Sequence, residues 1–562
     1  MSDRKLRPAL PLAVAVAIFA IEGRAPAARA ADPEAAILMN KGLEQLEAWD
    51  VEGAAAQLEE LVARRPGTPE TAFLRGRVLF EQGKYDEAVK AYQDASARAG
   101  DNEGSFDTHL RLAKNAAEEV RGAKQVESAH FIFFAKAEKD LLLAPYALEA
   151  LEKAWSALTQ DLGYSPTAKT RIEIYDTPQA LARVSPLSVA EIKGSGTIAL
   201  CKYNRLMVTS PRALLRGYPW LDTVSHEFVH YLVTRKGRNT VPIWLQEGLA
   251  KFLETRWRGP PGLAVDELQE ALLLKAARNK ELISFAAMHP SIAKLPTQEK
   301  AALAFAEVEA AMRLLYERSG QAGLTELVAA MASGMTGEQA VAQAYGKSFR
   351  EFEADWRADV ARPRGKLAER IAAVGRTGPR KLVFKEDVKG EKGKDPLGDA
   401  AESPHEPKNP EARRAVRLGE LFFGRGRWGA AAIEYGRARQ LLTEEDPVVA
   451  RRYAFAEIQN GHLPQAETAL RRAVEKDPQD STAQVLYAQV MLSIGQTDGA
   501  GKALAAAVAV DPFDPRLHKL WADLATVTND APLKARETRA LALLSGREQV
   551  GHTVQSSKDQ TP

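Results

Sequence analysis

One cysteine, Cys201, occurs in 562 residues. A lone thiol rules out an internal disulfide and a structural zinc site built on cysteines, and in an expected strand it reads as buried and inert. A surplus of charge is missing too: 76 basic against 74 acidic side chains leave a formal net charge of +2. That balance argues against nucleic acid as a partner. The one long apolar stretch at the N-terminus, Ala9 to Ile21, follows Arg4, Lys5 and Arg7 and precedes the small-x-small string Ala28-Arg29-Ala30. It reads as a Sec-type signal peptide, residues 1–30, too short and too closely followed by a cleavage site to span a membrane. No cysteine follows to accept a lipid, so the mature chain, starting near Ala31, is expected to be periplasmic or secreted, with no integral membrane segment. Its formal charge is then about −1, because the leader takes away five basic and two acidic side chains.

What is present is repetition. Gly426, Gly461 and Gly495 lie 35 and 34 residues apart, and each is followed five residues later by alanine: Ala431, Ala466 and Ala500. Pro478 and Pro512 follow the last two alanines by twelve residues each. A period of this length, with glycine, alanine and proline at these offsets, is the tetratricopeptide pattern, in which small residues let two helices approach and proline ends the second. Gly83 with Ala88, and Ala54 with Pro66, repeat it near the N-terminus, where helices are expected from about Pro33 to Arg121. The C-terminal array of three to four repeats is large enough to stand alone. The N-terminal pair needs a neighbour to pack against.

Between the arrays stands His226-Glu227-Phe228-Val229-His230. On a helix the two histidines, four apart, share a face where both imidazoles can reach one metal ion, and Glu227 projects toward a metal-bound water. A catalytic zinc takes three protein ligands. The metzincin completion would need Gly and His where Val233 and Lys236 stand, and an aspartate ligand is excluded because no Asp occurs between Asp222 and Asp266. The best remaining third ligand is Glu247, in Trp244-Leu245-Gln246-Glu247-Gly248-Leu249-Ala250, on a second helix that Thr240 can cap and that has Pro242 near its first turn.

The H-E-x-x-H string followed by W-L-x-E-G-L-A resembles the gluzincin peptidases, most closely the peptidase MA-like domains of bacterial secreted proteins, distant relatives of the M1 aminopeptidases. The resemblance implies one Zn2+ per chain held by His226, His230 and Glu247, with Glu227 as the general base. The spacing is two residues shorter than in the M1 pattern, which a shorter loop at Lys236-Gly237-Arg238-Asn239 absorbs. The surroundings read the same way. Strands are expected at His130 to Phe134 and Arg171 to Tyr175, a helix from Pro145 to Leu162, and a hairpin of Thr197 to Lys202 and Arg205 to Thr209 around Tyr203-Asn204. In the gluzincin plan a sheet edge near the zinc holds an extended peptide, and the region from Gly194-Ser195-Gly196 to Ser210 is the candidate, with a hairpin of no substrate role as the alternative.

Two departures from the family matter. Many relatives place an oxyanion-stabilising tyrosine on a later helix, where this chain has Ala304-Phe305-Ala306-Glu307-Val308-Glu309. Phe305 cannot donate a hydrogen bond, and Tyr316 or His289 would have to substitute. The G-x-M-E-N strand motif that holds a free amine in the M1 aminopeptidases is absent, which favours endopeptidase action on extended polypeptide.

The expected fold is multidomain: α-helical TPR repeats, an α+β gluzincin-like metallopeptidase domain, and a C-terminal α-solenoid of TPR repeats. In residues, this is a signal peptide at 1–30, N-terminal TPR-like repeats at 31–122 and a peptidase MA-like domain at 127–362. A flexible linker at 363–410, whose charged Lys385 to Pro396 cannot build a core, leads to C-terminal TPR repeats at 411–546 and a disordered tail at 547–562. The expected function is a zinc endopeptidase whose repeats bind a protein substrate or partner. The alternative is a non-catalytic envelope adaptor with a zinc-binding pseudopeptidase domain.

Overall fold

The computed structural model describes residues 15–16, 32–99, 106–262, 267–363, 382–387, 397, 407, 409–442 and 446–546. They fall into two compact units, Met1–Lys389 and Gly390–Pro562. Most of the expected signal peptide and linker, and the whole expected tail, lie outside the described residues.

The first unit opens with helices α1 (Pro33–Glu47), α2 (Val51–Arg64), α3 (Pro69–Glu81), α4 (Tyr85–Ala99) and α5 (Asp107–Val120). Asp32, Asp50 and Thr68 cap the first three by accepting backbone N–H bonds. The marker residues behave as their chemistry requires. Gly83 turns from α3 to α4 at φ 72°, and Ala54 and Ala88 are fully buried where paired helices touch. One repeat earlier Trp49 occupies the same turn at φ 59°. Because tryptophan is not a turn residue, the sequence pattern did not mark that turn.

The middle of the unit is a six-stranded sheet followed by helices. Strand β1 (Ala15–Val16) is a two-residue edge. It is followed by β2 (Lys124–Glu127), β3 (Phe131–Ala135), β4 (Thr170–Tyr175), β5 (Thr197–Lys202) and β6 (Arg205–Thr209), in the order β1-β5-β6-β4-β3-β2. The pairings β3–β4, β4–β6 and β1–β5 are parallel, and β2–β3 and β5–β6 are antiparallel. The β5–β6 hairpin has the expected bounds. Tyr203 and Asn204 both lie at φ 55°, the left-handed pair that a tight two-residue turn needs. Helix α6 (Ala144–Leu162) buries one face and ends at Gly163 in the left-handed conformation.

Short helices α7 (Pro178–Val184) and α8 (Val189–Ser195) lead into the hairpin. Beyond it come α9 (Trp220–Lys236), α10 (Ile243–Leu253), α11 (Glu267–Asn279), α12 (Gln298–Ala332, broken at Gly320), α13 (Gly337–Tyr345) and α14 (Phe349–Val360). Strands first and helices after is the expected order.

The N-terminal repeats do pack against this neighbour, largely through polar contacts. Arg235 on α9 reaches Glu52 of α2 at 2.5 Å and Asn204 at 3.0 Å, Asn239 donates to the Glu47 carbonyl, and Asn204 donates to the Glu81 carbonyl. Tyr85 of α4 donates to Glu173 of β4 at 2.6 Å. Trp49 meets Tyr231 of α9 edge to face, with ring centroids 6.1 Å apart. The helix carrying both histidines is thus seated directly on the repeats.

The second unit is four helix pairs, from Pro410–Phe423 with Trp428–Leu441 to Pro515–Val527 with Ala531–Ser545. Gly426, Gly461 and Gly495 turn at φ 66–78°, and Ala431, Ala466 and Ala500 are fully buried. In the fourth pair Asn529 takes the glycine's place at φ 57°, because asparagine tolerates the left-handed region. Gly419 lies under Tyr435, as Gly76 does under Tyr92 in the first unit, so that an added Cβ would come within 2.6 Å of the ring.

The expectation of a flexible linker meets two observed exceptions. Residues 382–387 pack on the first unit, with Leu382 and Phe384 buried, and Leu397 is buried in the core of the second.

Candidate metal centre

Helix α9 has apolar residues on every side and is buried along nearly its whole length. Such a helix cannot lie on a surface, so any polar group it carries must find its partner inside the domain. His226 and His230 are one turn apart on it, with their Nε2 atoms 3.1 Å from each other. Glu247, on α10, brings Oε2 to 3.5 Å from His226 Nε2 and 3.4 Å from His230 Nε2. Among the described residues this is the only group of three or more His, Cys, Asp or Glu side chains able to hold a metal ion. All three are 0–1% exposed.

The triangle fits a small tetrahedral cation. Ligands about 2.0–2.1 Å from a zinc ion would stand about 3.3 Å from one another, close to the three distances observed. Without a cation the arrangement is poorly satisfied: neither Glu247 oxygen, nor His230 Nδ1, nor either Glu227 oxygen has an aligned hydrogen-bond partner. Burial would depress the His226 imidazolium, but the Glu247 and Glu254 carboxylates outweigh it and raise this group to about 9. His230 is held low, by burial first and by His226, against the pull of Glu247.

Glu227, the residue after His226 on α9, is outside the ligand group. Burial pushes its carboxyl well above the usual range; His226 opposes this and Glu247 adds to it. The Cys201 amide on β5 favours the ionised form without making an aligned bond. The chain's one thiol is on this strand, which packs on α9. It is buried and pushed up by burial and by Glu227.

Sequence reasoning did not single out Glu254. Its Oε2 lies 3.0 Å from His226 Nδ1 and its Oε1 2.5 Å from Lys251 Nζ. A carboxylate behind a histidine fixes which ring nitrogen carries the proton and which one faces the ligand triangle. The available signal was spacing, since Glu254 follows Glu247 by seven residues, two helical turns on one face. Tyr218, just ahead of α9, was missed as well; it is fully buried and donates to the Thr209 carbonyl at the end of β6.

Glycine at 248 is required by packing. An added Cβ would lie 2.8 Å from Met312 and 3.1 Å from the Val308 carbonyl, so α12 can approach α10 only over a bare backbone. That approach brings Phe305 to His226, edge to face at 6.5 Å between centroids. The segment compared with the family's tyrosine helix does face the site. Tyr316 instead packs on Phe252, and His289 is exposed. The expected Thr240 cap is not formed: its hydroxyl donates to the Gly237 carbonyl at 2.6 Å, and α10 starts behind Pro242 with no side-chain cap. The tight loop after α9 uses that hydroxyl to close its own carbonyl.

Sheet, buried helix pair and flanking repeats together define an α+β domain with a three-residue candidate metal centre, carried in a chain of helical repeats. The particular family follows from comparison. Residues 150–362 match the Peptidase MA superfamily, and residues 39–103 and 457–524 match tetratricopeptide repeats. The chain therefore contains a Peptidase MA superfamily domain flanked by tetratricopeptide repeats.

No curated protein matches the sequence. Among solved structures, native yeast LTA4 hydrolase is similar over 75% of this chain and 66% of its own, at 12% identity and TM-score 0.27. The TPR2B domain of yeast Sti1, in a pHsp70 complex, is similar over 25% of this chain and 100% of its own, at 20% identity and TM-score 0.17. Yeast Tom70 is similar over 90% and 92%, at 11% identity and TM-score 0.19. Superpositions this loose carry no argument about function. No helix among the described residues is long and apolar enough to cross a membrane.

Proposed function

We propose that this chain is a secreted or periplasmic zinc-dependent endopeptidase whose repeats bind a protein substrate or partner. The observation that carries the reading is the convergence of His226, His230 and Glu247 on one point inside a buried core, with Glu227 beside it and its carboxylate unpaired. A zinc ion held there would supply Lewis acidity and an activated water. His226 and His230 would bind through Nε2 and Glu247 through Oε2, with Glu254 orienting His226 from behind. Glu227 would accept the water's proton and return it to the leaving amine. The edge of β5 would pair with an extended polypeptide. The two-residue strand Ala15–Val16, within the expected leader, lies against that edge, and removal of the leader would free it.

Purified mature protein is expected to hold about one zinc per chain, and His226→Ala or Glu247→Ala to lose it, as measured by elemental analysis after dialysis. Zinc at the wild-type level in both variants would refute the ligand assignment. Wild-type protein is also expected to cleave an unfolded protein such as casein in a chelator-sensitive way.

A second reading, an envelope adaptor with a zinc-binding pseudopeptidase domain, is favoured by one observation: the ring facing His226 from α12 belongs to Phe305, which has no donor. Phe305→Tyr separates the two. Restoring one oxyanion donor is expected to raise turnover by about a hundredfold or more, and an unchanged turnover would remove Phe305 from the catalytic account.

A further inference from the structure

The four polar residues of the site, His226, Glu227, His230 and Glu247, are 0–1% exposed, so the structure shows a closed state that no polypeptide can enter. Two walls enclose it. One is β5, the strand of Cys201, which packs on α9; the other is α12, where Phe305 meets His226. Both walls begin at one place. At Gly196, the residue before β5, an added Cβ would lie 3.2 Å from Leu382 Cδ1 and 3.5 Å from Nε2 of Gln298, the first residue of α12. Leu382 thus sits where the two walls meet.

Leu382 belongs to the short docked stretch that precedes the second unit. Residues 382–384 alternate in, out, in, as a half-buried strand does: Leu382 and Phe384 are buried, and Val383 is 37% exposed. The Leu215 N–H donates to the Val383 carbonyl at 2.9 Å, and Phe384 bridges Leu214, on the connection from β6 to α9. Glu386 and Asp387 then close on Lys193 of α8, the Asp387 contact at 2.8 Å, and Glu386 also accepts from Gln179 at 2.9 Å. The Phe384 ring lies 6.0 Å from the same ammonium group. Six residues therefore join α8, the start of β5, the start of α12 and the connection into α9.

We infer that residues 382–387 are a clasp that holds the site shut, and that polypeptide reaches Glu227 only when the clasp lifts. Its grip is suited to release, with only two buried apolar side chains and with ion pairs that solvent and salt weaken. The consequence for hydrolysis rests on the peptidase reading; the clasp itself does not.

Cys201 separates the two. As the chain's one cysteine, 2% exposed on β5, it reports opening of the β5 wall without need of metal or turnover. In the full mature chain, Leu382→Ser with Phe384→Ser is expected to raise the rate of Cys201 alkylation by iodoacetamide about tenfold or more, with the first thermal transition unmoved. Lys193→Glu, a change at a partly exposed side chain, is expected to do the same, and adding Glu386→Lys and Asp387→Lys to restore the slow rate. Casein cleavage is expected to rise in parallel. Alkylation at the wild-type rate in variants whose Lys385 has become open to trypsin would overturn the clasp. Faster alkylation with no casein cleavage in any variant would uphold the clasp and overturn the peptidase reading.

Discussion

On the proposed reading, Glu227→Gln is expected to bind zinc as the wild type does and to lose about a thousandfold in the rate of casein or peptide-library cleavage, within the range that general acid–base groups contribute. The amide has the shape of the carboxylate but cannot take a proton from water. Metal retention follows from geometry, since Glu227 lies outside the triangle formed by His226 Nε2, His230 Nε2 and Glu247 Oε2. Steady-state turnover beside elemental zinc makes the comparison, with chelator added to the wild type as the control. A variant that cleaves at the wild-type rate would show that another group is the base. A variant that loses zinc together with activity would show that Glu227 belongs to the ligand set.

The largest stability effect is expected at Glu173, on the sheet beneath the N-terminal repeats. Its carboxylate is 1% exposed and gathers Arg171 Nε at 2.5 Å, Tyr85 Oη at 2.6 Å and Tyr175 Oη at 2.5 Å. Arg205, equally buried, pairs with it at 3.1 Å without hydrogen-bond alignment, and the rings of Phe80, Tyr85 and Tyr203 face its guanidinium 5.0–5.6 Å away. Glu173→Ala leaves that guanidinium buried without its anion, at a cost of about 3–5 kcal/mol. Because Tyr85 and Phe80 belong to the repeats, the loss is expected to appear as an earlier first unfolding transition and as faster proteolysis of residues 32–99. Combining Glu173→Gln with Arg205→Met, which removes both charges, is expected to recover most of it. A Glu173→Ala protein as stable as wild type would mean that apolar packing alone seats the repeats.

The same cluster sets a response to acid. Burial, the largest influence, pushes the Glu173 carboxyl up, but Arg205 and Arg171 outweigh it and hold it below its ordinary 4.5. A depressed carboxyl contributes stability that is present above the unfolded value and is lost as pH falls through the folded one. Docking of the repeats is therefore expected to persist at pH 5 and to weaken below pH 4.5.

Some features were legible from the residues because they depend on local chemistry. The β5–β6 hairpin follows from two apolar runs around a turn pair, and its bounds agree residue for residue. The repeat turns at Gly83, Gly426, Gly461 and Gly495 follow from a backbone conformation that glycine adopts freely. Turns at Trp49 and Asn529 were not legible from the glycine pattern, because there another residue takes the same left-handed conformation. Glu254 lay in plain sequence but had no meaning until α10 was laid against α9. The segment 382–387 was read as linker because its charges suggested solvent, whereas the structure buries Leu382 and Phe384 and pairs Glu386 and Asp387 with Lys193.

From sequence alone came the helical faces, the turns and the His226–His230 pair, because residue spacing on a helix sets which groups share a face, with Glu247 added as the best remaining third ligand. Only the tertiary structure decided that these groups meet at 3.1–3.5 Å in a buried core, that Phe305 faces His226, and that the repeats seat helix α9. Those facts depend on how separate elements pack, and packing is settled by contacts between residues far apart in the chain, which no local pattern encodes.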